Sequence, residues 1–101
     1  MPKSINFKKY LIESLKDPKE ASAYLNVALE EFEKDGDMKT FLLMLRDVTE
    51  AQGGFSELAK KTSLNRQNLY RVLSGKGNPK ISTLGNILNG LGFHFSIKAN
   101  C

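Results

Sequence analysis

Phe55-Ser56-Glu57-Leu58-Ala59-Lys60-Lys61-Thr62-Ser63-Leu64-Asn65-Arg66-Gln67-Asn68-Leu69-Tyr70-Arg71-Val72-Leu73-Ser74 is the stretch whose reading decides the fold. Its apolar positions predict two short helices joined by a tight turn. Leu58 and Ala59 fall on the inner face of the first, Leu64 closes the turn from inside, and Leu69, Val72 and Leu73 line one face of the second. Two helices that cross steeply need a small side chain where their backbones approach, and Ala59 supplies it. Asn65 is suited to cap the second helix, because its side-chain oxygen can accept a bond from an amide the first turn leaves unpaired.

With the apolar residues inward, Arg66, Gln67, Tyr70, Arg71 and Ser74 turn outward, and no carboxylate interrupts them. Arg pairs bidentately with guanine and Gln with adenine, while a Tyr can meet a phosphate or a thymine methyl. Arg66 and Gln67 lie nearest the helix start, where base contacts concentrate when such a helix enters a major groove. The competing reading is a plain solvated helix face. Turn, cap and outer-face chemistry agree with one another, and together they favour double-stranded DNA as the partner.

Charge points the same way. Residues 1–52 hold eight Lys/Arg against ten Asp/Glu, whereas residues 53–101 hold seven against one, so a net charge of +4 is split into −2 and +6. Glu57 alone offsets Lys60, Lys61, Arg66, Arg71, Lys76, Lys80 and Lys98. Basic surfaces often serve solubility only, so the weight comes from the coincidence of this asymmetry with the helix pair.

A chain of 101 residues, 41% hydrophobic and 26% charged, suits one domain with one modest core. No apolar run approaches the roughly 18 residues a membrane helix needs, and the N-terminus lacks a signal-peptide stretch. A cytoplasmic protein is expected. Cys101 has no internal disulfide partner and no Cys or His close by in sequence, which leaves an incidental exposed thiol.

Upstream, Phe7, Tyr10, Leu11 and Leu15 repeat at spacings of three and four, the pattern of a short amphipathic helix or a docking arm within residues 1–16. Asp17-Pro18-Lys19-Glu20 is a helix start, with Asp17 as N-cap, Pro18 where a missing amide does no harm, and Glu20 placed to close a capping box. That helix should run to about residue 33 and bury Ala21, Tyr24, Leu25, Ala28 and Leu29, with Phe32 at the margin of the same face. After a break at Lys34-Asp35-Gly36, Asp37 caps a helix running to about Gln52, with Phe41, Leu42, Leu45 and Val48 inward and Gly53 ending it.

Downstream, Gly75-Lys76-Gly77-Asn78-Pro79-Lys80 cannot continue a helix. Lys76, Asn78 and Lys80 there are either phosphate contacts or members of an ordinary polar turn. Leu84, Ile87, Leu88 and Leu91 then repeat at helical spacing up to Gly92. Phe93, Phe95 and Ile97 alternate with His94, Ser96 and Lys98, a short strand pattern. A lone strand needs partners for its amides and cover for its aromatic face. A second copy pairing antiparallel would supply both, and would set two DNA-reading helices for major grooves about 34–36 Å apart. The alternative is that this segment packs on its own domain or pairs with an N-terminal strand.

Tyr24-Leu25-Asn26-Val27-Ala28-Leu29-Glu30, then Phe41-Leu42 followed by Leu45-Arg46-Asp47-Val48, then Leu69-Tyr70-Arg71-Val72-Leu73-Ser74 with Gly77-Asn78-Pro79, resemble the addiction-module antidote proteins. These are HigA-like antitoxins with an Xre-type, lambda-repressor-like helix-turn-helix, and the resemblance spans about residues 6–98 in order. It implies a mainly α bundle of about five helices with a short C-terminal β-strand, residues 17–101 forming the DNA-binding domain. It also implies a homodimeric bacterial antitoxin, nucleoid-associated, that neutralises a small RelE/ParE-like toxin and represses their shared operon. Arg66, Gln67, Tyr70, Arg71 and Ser74 would read the operator, with Lys60, Lys76, Asn78 and Lys80 beside them. The toxin would meet the segment around Phe7, Tyr10, Leu11 and Leu15, or the acidic residues Glu30, Glu31, Glu33, Asp35 and Asp37. Ser63 departs from the pattern, standing where many helix-turn-helix proteins carry glycine.

Catalysis finds no support: His94 lacks a paired nucleophile or carboxylate in sequence, and zinc-ligand spacing, a P-loop and a dinucleotide fingerprint are all missing. No enzyme activity and no cofactor are expected. Two other readings use the same fold: a stand-alone phage- or plasmid-type repressor, and an interaction module that has lost DNA binding. The basic outer face argues against the second.

Overall fold

Asp17, Asp37 and Asn65 each precede a helix as their positions before apolar periodic runs predict. The computed structural model describes residues 3–100. Cys101 lies outside them. The described residues form α1 (Lys3–Ser14), α2 (Pro18–Asp35), α3 (Met38–Ala51), α4 (Gly54–Thr62), α5 (Arg66–Val72) and α6 (Ile81–Gly90). The mainly helical class is as expected. Six helices stand where about five were anticipated, because the segment read as an arm or short helix carries twelve helical residues.

Asp17 accepts a bond from the Lys19 amide at 2.9 Å, with Pro18 in the first turn. The anticipated capping box through Glu20 does not close. The Asp17 amide donates instead to the Ser14 carbonyl at 3.2 Å, because the chain arrives directly from the end of α1. α2 runs two residues further than expected, to Asp35. Gly36, at φ 70°, ends it with its amide on the Phe32 carbonyl at 2.7 Å. Asp37 then accepts from the Lys39 amide and the Thr40 hydroxyl, both at 3.0 Å.

Phe41, Leu42, Leu45 and Val48 of α3 are buried at the centre, and α1, α2 and α4 pack against that helix. Leu15 is buried while Leu11 and Ile12 are half-buried, so the rear of α1 closes on the core. The Gln52 side-chain amide donates to the carbonyls of Leu15 and Lys16 at 2.8 and 3.2 Å. It thereby satisfies carbonyls near the end of α1 that have no helical partner. A second tie joins three helices: the Tyr24 hydroxyl donates to Asp47 at 2.8 Å, and Lys8 reaches the other Asp47 oxygen at 3.4 Å. Burial pushes the Tyr24 phenol well above its ordinary range, and the Asp47 carboxylate adds to the shift as hydrogen-bond acceptor and as a charge.

α6 packs on α4 at a close approach through Gly90, where an added Cβ would stand 2.8 Å from both Leu58 Cδ1 and Thr62 Cγ2. Asn86 donates to the Thr62 carbonyl at 3.1 Å and fixes the same contact. Gly92, at φ 93°, turns the chain away.

The β-strand expected at residues 93–98 does not form. Phe93 donates its amide to the Leu88 carbonyl at 2.8 Å, and none of residues 94–100 makes a backbone hydrogen bond among the described residues. Two-residue alternation does shape the segment, because Phe93 and Phe95 pack half-buried against the core. A strand needs a neighbour as well as a pattern. The N-terminal segment, the partner expected within the chain, is helical over Lys3–Ser14.

Candidate nucleic-acid interface

α4 and α5 are joined by Ser63, Leu64 and Asn65 alone. Leu58 and Thr62 are buried on α4 and Leu69 on α5, with Leu73 buried just beyond its end and Ala59, Leu64 and Val72 half-buried between them. The Thr62 hydroxyl donates to the Leu58 carbonyl at 2.9 Å and accepts from the Leu64 amide at 3.3 Å. Ser63 adopts φ 64°, the left-handed conformation that glycine adopts without penalty, and its amide closes on the Ala59 carbonyl at 3.0 Å. The departure from glycine noted in the sequence is thus absorbed as backbone strain, with the turn intact. Asn65 caps α5 by accepting from the Asn68 amide at 2.7 Å.

This scaffold leaves Arg66, Gln67 and Arg71 exposed on α5. Tyr70 is also exposed, at 43%, but its ring stacks on Phe55 with centroids 4.2 Å apart and planes 7° from parallel. α5 is therefore clamped to the start of α4 on its outer side as well as through its buried leucines, and Tyr70 offers its hydroxyl and ring edge. The Arg71 guanidinium donates to the Asn68 side-chain oxygen, which restrains the arginine along the helix. Ser74 is half-buried and occupied locally: its hydroxyl donates to the Arg71 carbonyl at 2.7 Å and accepts from the Lys76 amide at 3.3 Å. Lys60 stands exposed in the last turn of α4. Lys76, Asn78 and Lys80 are exposed in the α5–α6 connection.

Sequence reading missed three members of this surface. Phe55 and Asn68 hold Tyr70 and Arg71, contacts that a list of outward-facing residues does not reveal. Lys39 belongs to the acidic half by position, yet its stem lies against the α5–α6 turn, where a Cβ on Gly75 would stand 2.9 Å from Lys39 Cγ. A seven-residue helix and its flanking turn thus collect cations from α3, α4, α5 and the loop.

Every ion pair among the described residues lies between Lys8 and Glu50. Lys60, Lys61, Arg66, Arg71, Lys76, Lys80 and Lys98 form none of them and are all exposed. Cations in that state hold an undischarged positive potential suited to a polyanion. Among the described residues no group of His, Cys, Asp and Glu is placed to hold a metal ion, and no helix is long and apolar enough to cross a membrane.

Fold and surface together define a small, mainly helical protein whose C-terminal helices carry an unpaired basic face. The chain matches the family described as "Probable addiction module antidote protein" over residues 6–99, and it belongs to that family. It is 30% identical over 86 residues to an uncharacterized protein of Haemophilus influenzae (strain ATCC 51907 / DSM 11121 / KW20 / Rd), a match covering 85% of this chain and 84% of that one. No solved structure matches it. An antidote family implies a toxin as partner and a regulatory, non-enzymatic role.

Proposed function

We propose that the protein is the antitoxin of a type II toxin–antitoxin module. It neutralises a RelE/ParE-like toxin by binding it, and represses their shared operon in the bacterial cytoplasm by reading operator DNA as a homodimer through a helix-turn-helix made of α4 and α5. The observation that carries the DNA half is the set of exposed, unpaired cations on α4, α5 and the following turn, opposed only by Glu57. In this reading Arg66 and Gln67 contact base edges, because they open the helix presented to the major groove. Tyr70, Arg71, Lys60, Lys76, Asn78 and Lys80 fix the register on phosphates, and Lys39 joins them. Ser74 contributes by shaping the turn.

An operator-binding assay tests it. Arg66→Ala or Gln67→Ala costs ~1–3 kcal/mol at the cognate site and relaxes preference at one base pair. Unchanged sequence preference in both variants would remove the base-reading role. Lys60→Ala weakens specific and non-specific binding alike and lowers the salt slope by about one, and an unaltered slope would remove its phosphate contact.

For the toxin, Phe7 and Tyr10 on α1 are 64% and 76% exposed, a pair of aromatic side chains one turn apart facing away from the core. The acidic residues divide. Asp37 caps α3, Asp35 accepts from the Asp37 amide at 2.8 Å, and Glu31 faces Lys34 at 3.9 Å, whereas Glu30 and Glu33 form no ion pair among the described residues. Those two, with Phe7 and Tyr10, are the residues offered to a basic toxin. Co-purification with the product of the adjacent gene separates this reading from a stand-alone repressor, which would bring no toxin down.

A further inference from the structure

Arg71 has two neutral side-chain oxygens one helical turn behind it on α5, those of Gln67 and Asn68, four and three residues away. It uses one of them. Its guanidinium donates to the Asn68 oxygen, while the Gln67 side chain stands exposed and forms no hydrogen bond among the described residues. A guanidinium only donates, so the contact also fixes which end of the Asn68 amide faces it. Asn68 is itself seated, half-buried beside buried Leu69, with its backbone amide donating to the Asn65 side chain at 2.7 Å. Behind Arg71 the Ser74 hydroxyl holds its carbonyl at 2.7 Å. Among the described residues, Arg71 is the one cation beyond residue 52 whose charged end is hydrogen-bonded within the chain.

We infer that Asn68 is a positioning residue of the DNA face: by holding Arg71 it keeps the guanidinium off Gln67 and leaves the Gln67 amide whole for a base edge. Adenine recognition uses the Gln oxygen as acceptor and its NH2 as donor together. An Arg71 drawn onto Gln67 engages that oxygen and pulls the amide back along the helix, so the bidentate pair is lost. The holder is suited to its task by being neutral. A carboxylate at position 68 would hold Arg71 equally well but would offset its charge and repel the phosphates, whereas Asn68 leaves the full charge for a phosphate contact. Asn68 acts through Arg71 and Gln67, without touching DNA itself.

The inference rests on the reading of operator DNA by α5, and two measurements keep the two failures apart. In the free protein, nuclear magnetic relaxation of the Arg71 Nε–H group is expected to show an ordered guanidinium in wild type and a mobile one in Asn68→Ala. On operator DNA, Asn68→Ala is expected to lose about fivefold or more of the preference at the base pair Gln67 reads, with the salt slope unchanged because every cation remains. Asn68→Ala combined with Arg71→Ala should restore that preference at lower overall affinity, since the competing guanidinium is gone. Asn68→Asp should keep the preference and lower the slope. Folding does not confound these variants, because the Asn65 cap accepts from a backbone amide that any of them retains. A wild-type guanidinium as mobile as that of Asn68→Ala overturns the inference, as does Asn68→Ala protein with unchanged base preference. A loss that persists in the double variant makes Asn68 a DNA contact in its own right and overturns it too. Gln67→Ala with unchanged preference removes the base-reading role itself, and the inference falls with it even where the relaxation result stands.

Discussion

Every ion pair among the described residues joins side chains of α1–α3 and the turn between α1 and α2, whereas none involves α4–α6. Lys8 meets Asp47, which also holds Tyr24; Lys16 meets Glu13, Lys34 meets Glu31, and Arg46 meets Glu50. Beyond residue 52 no cation forms an ion pair among the described residues, and what holds α5 is apolar: Leu69 and Leu73 beneath and the Phe55–Tyr70 stack above. Exposed ion pairs contribute little individually, so the first half gains little stability from its pairs. The second half gives up little by lacking them, and its charge stays uncompensated, as the proposed DNA contact requires. Stability in the basic half therefore rests on packing, and the proposed DNA binding on charge, with few residues serving both.

That separation breaks most visibly at Leu69, fully buried on a helix of seven residues. Leu69→Ala is expected to cost ~2–5 kcal/mol in urea unfolding. DNA affinity should fall only because less protein is folded. If the fraction that remains folded also binds more weakly, Leu69 positions the exposed residues of α5 as well, and packing and binding share that side chain.

Tyr24 tests the other half. Tyr24→Phe removes the hydroxyl from Asp47 and leaves Lys8 as its remaining partner, a loss of ~0.5–1.5 kcal/mol at neutral pH. Because the folded state holds the phenol protonated above its unfolded value, its contribution is fully present below ~pH 10 and is lost as pH rises further. Wild-type protein should therefore lose stability above that pH more steeply than the phenylalanine variant. Parallel pH profiles would show that the hydrogen bond does not couple α2 to α3 energetically.

The same division explains which features could be read from sequence. Asp17, Asp37 and Asn65 act within three residues of themselves, so their caps were legible, as were Leu69 and Leu73 from periodicity. Gln52 closing α1, Tyr24 on Asp47, Asn86 on the Thr62 carbonyl, Phe55 beneath Tyr70 and Lys39 beside Gly75 join positions 15 to 37 residues apart, and no local pattern announces them. Residues 93–98 fail for the complementary reason: the alternation was legible, but pairing is a property of two segments and the chain supplies one.

Ser63 offers the smallest and most local test. It is the one non-glycine residue with positive φ among those described, at the joint between the helix that packs and the helix that faces outward. A side chain in that conformation costs about 1 kcal/mol relative to glycine, partly offset by the freedom glycine gains in the unfolded chain. Ser63→Gly should therefore raise stability by up to about 1 kcal/mol while leaving the turn's geometry, and hence operator affinity, unchanged. A stabilised variant that binds more weakly would mean that the serine at this joint serves recognition, and that strain is kept there for a function the packing argument does not contain.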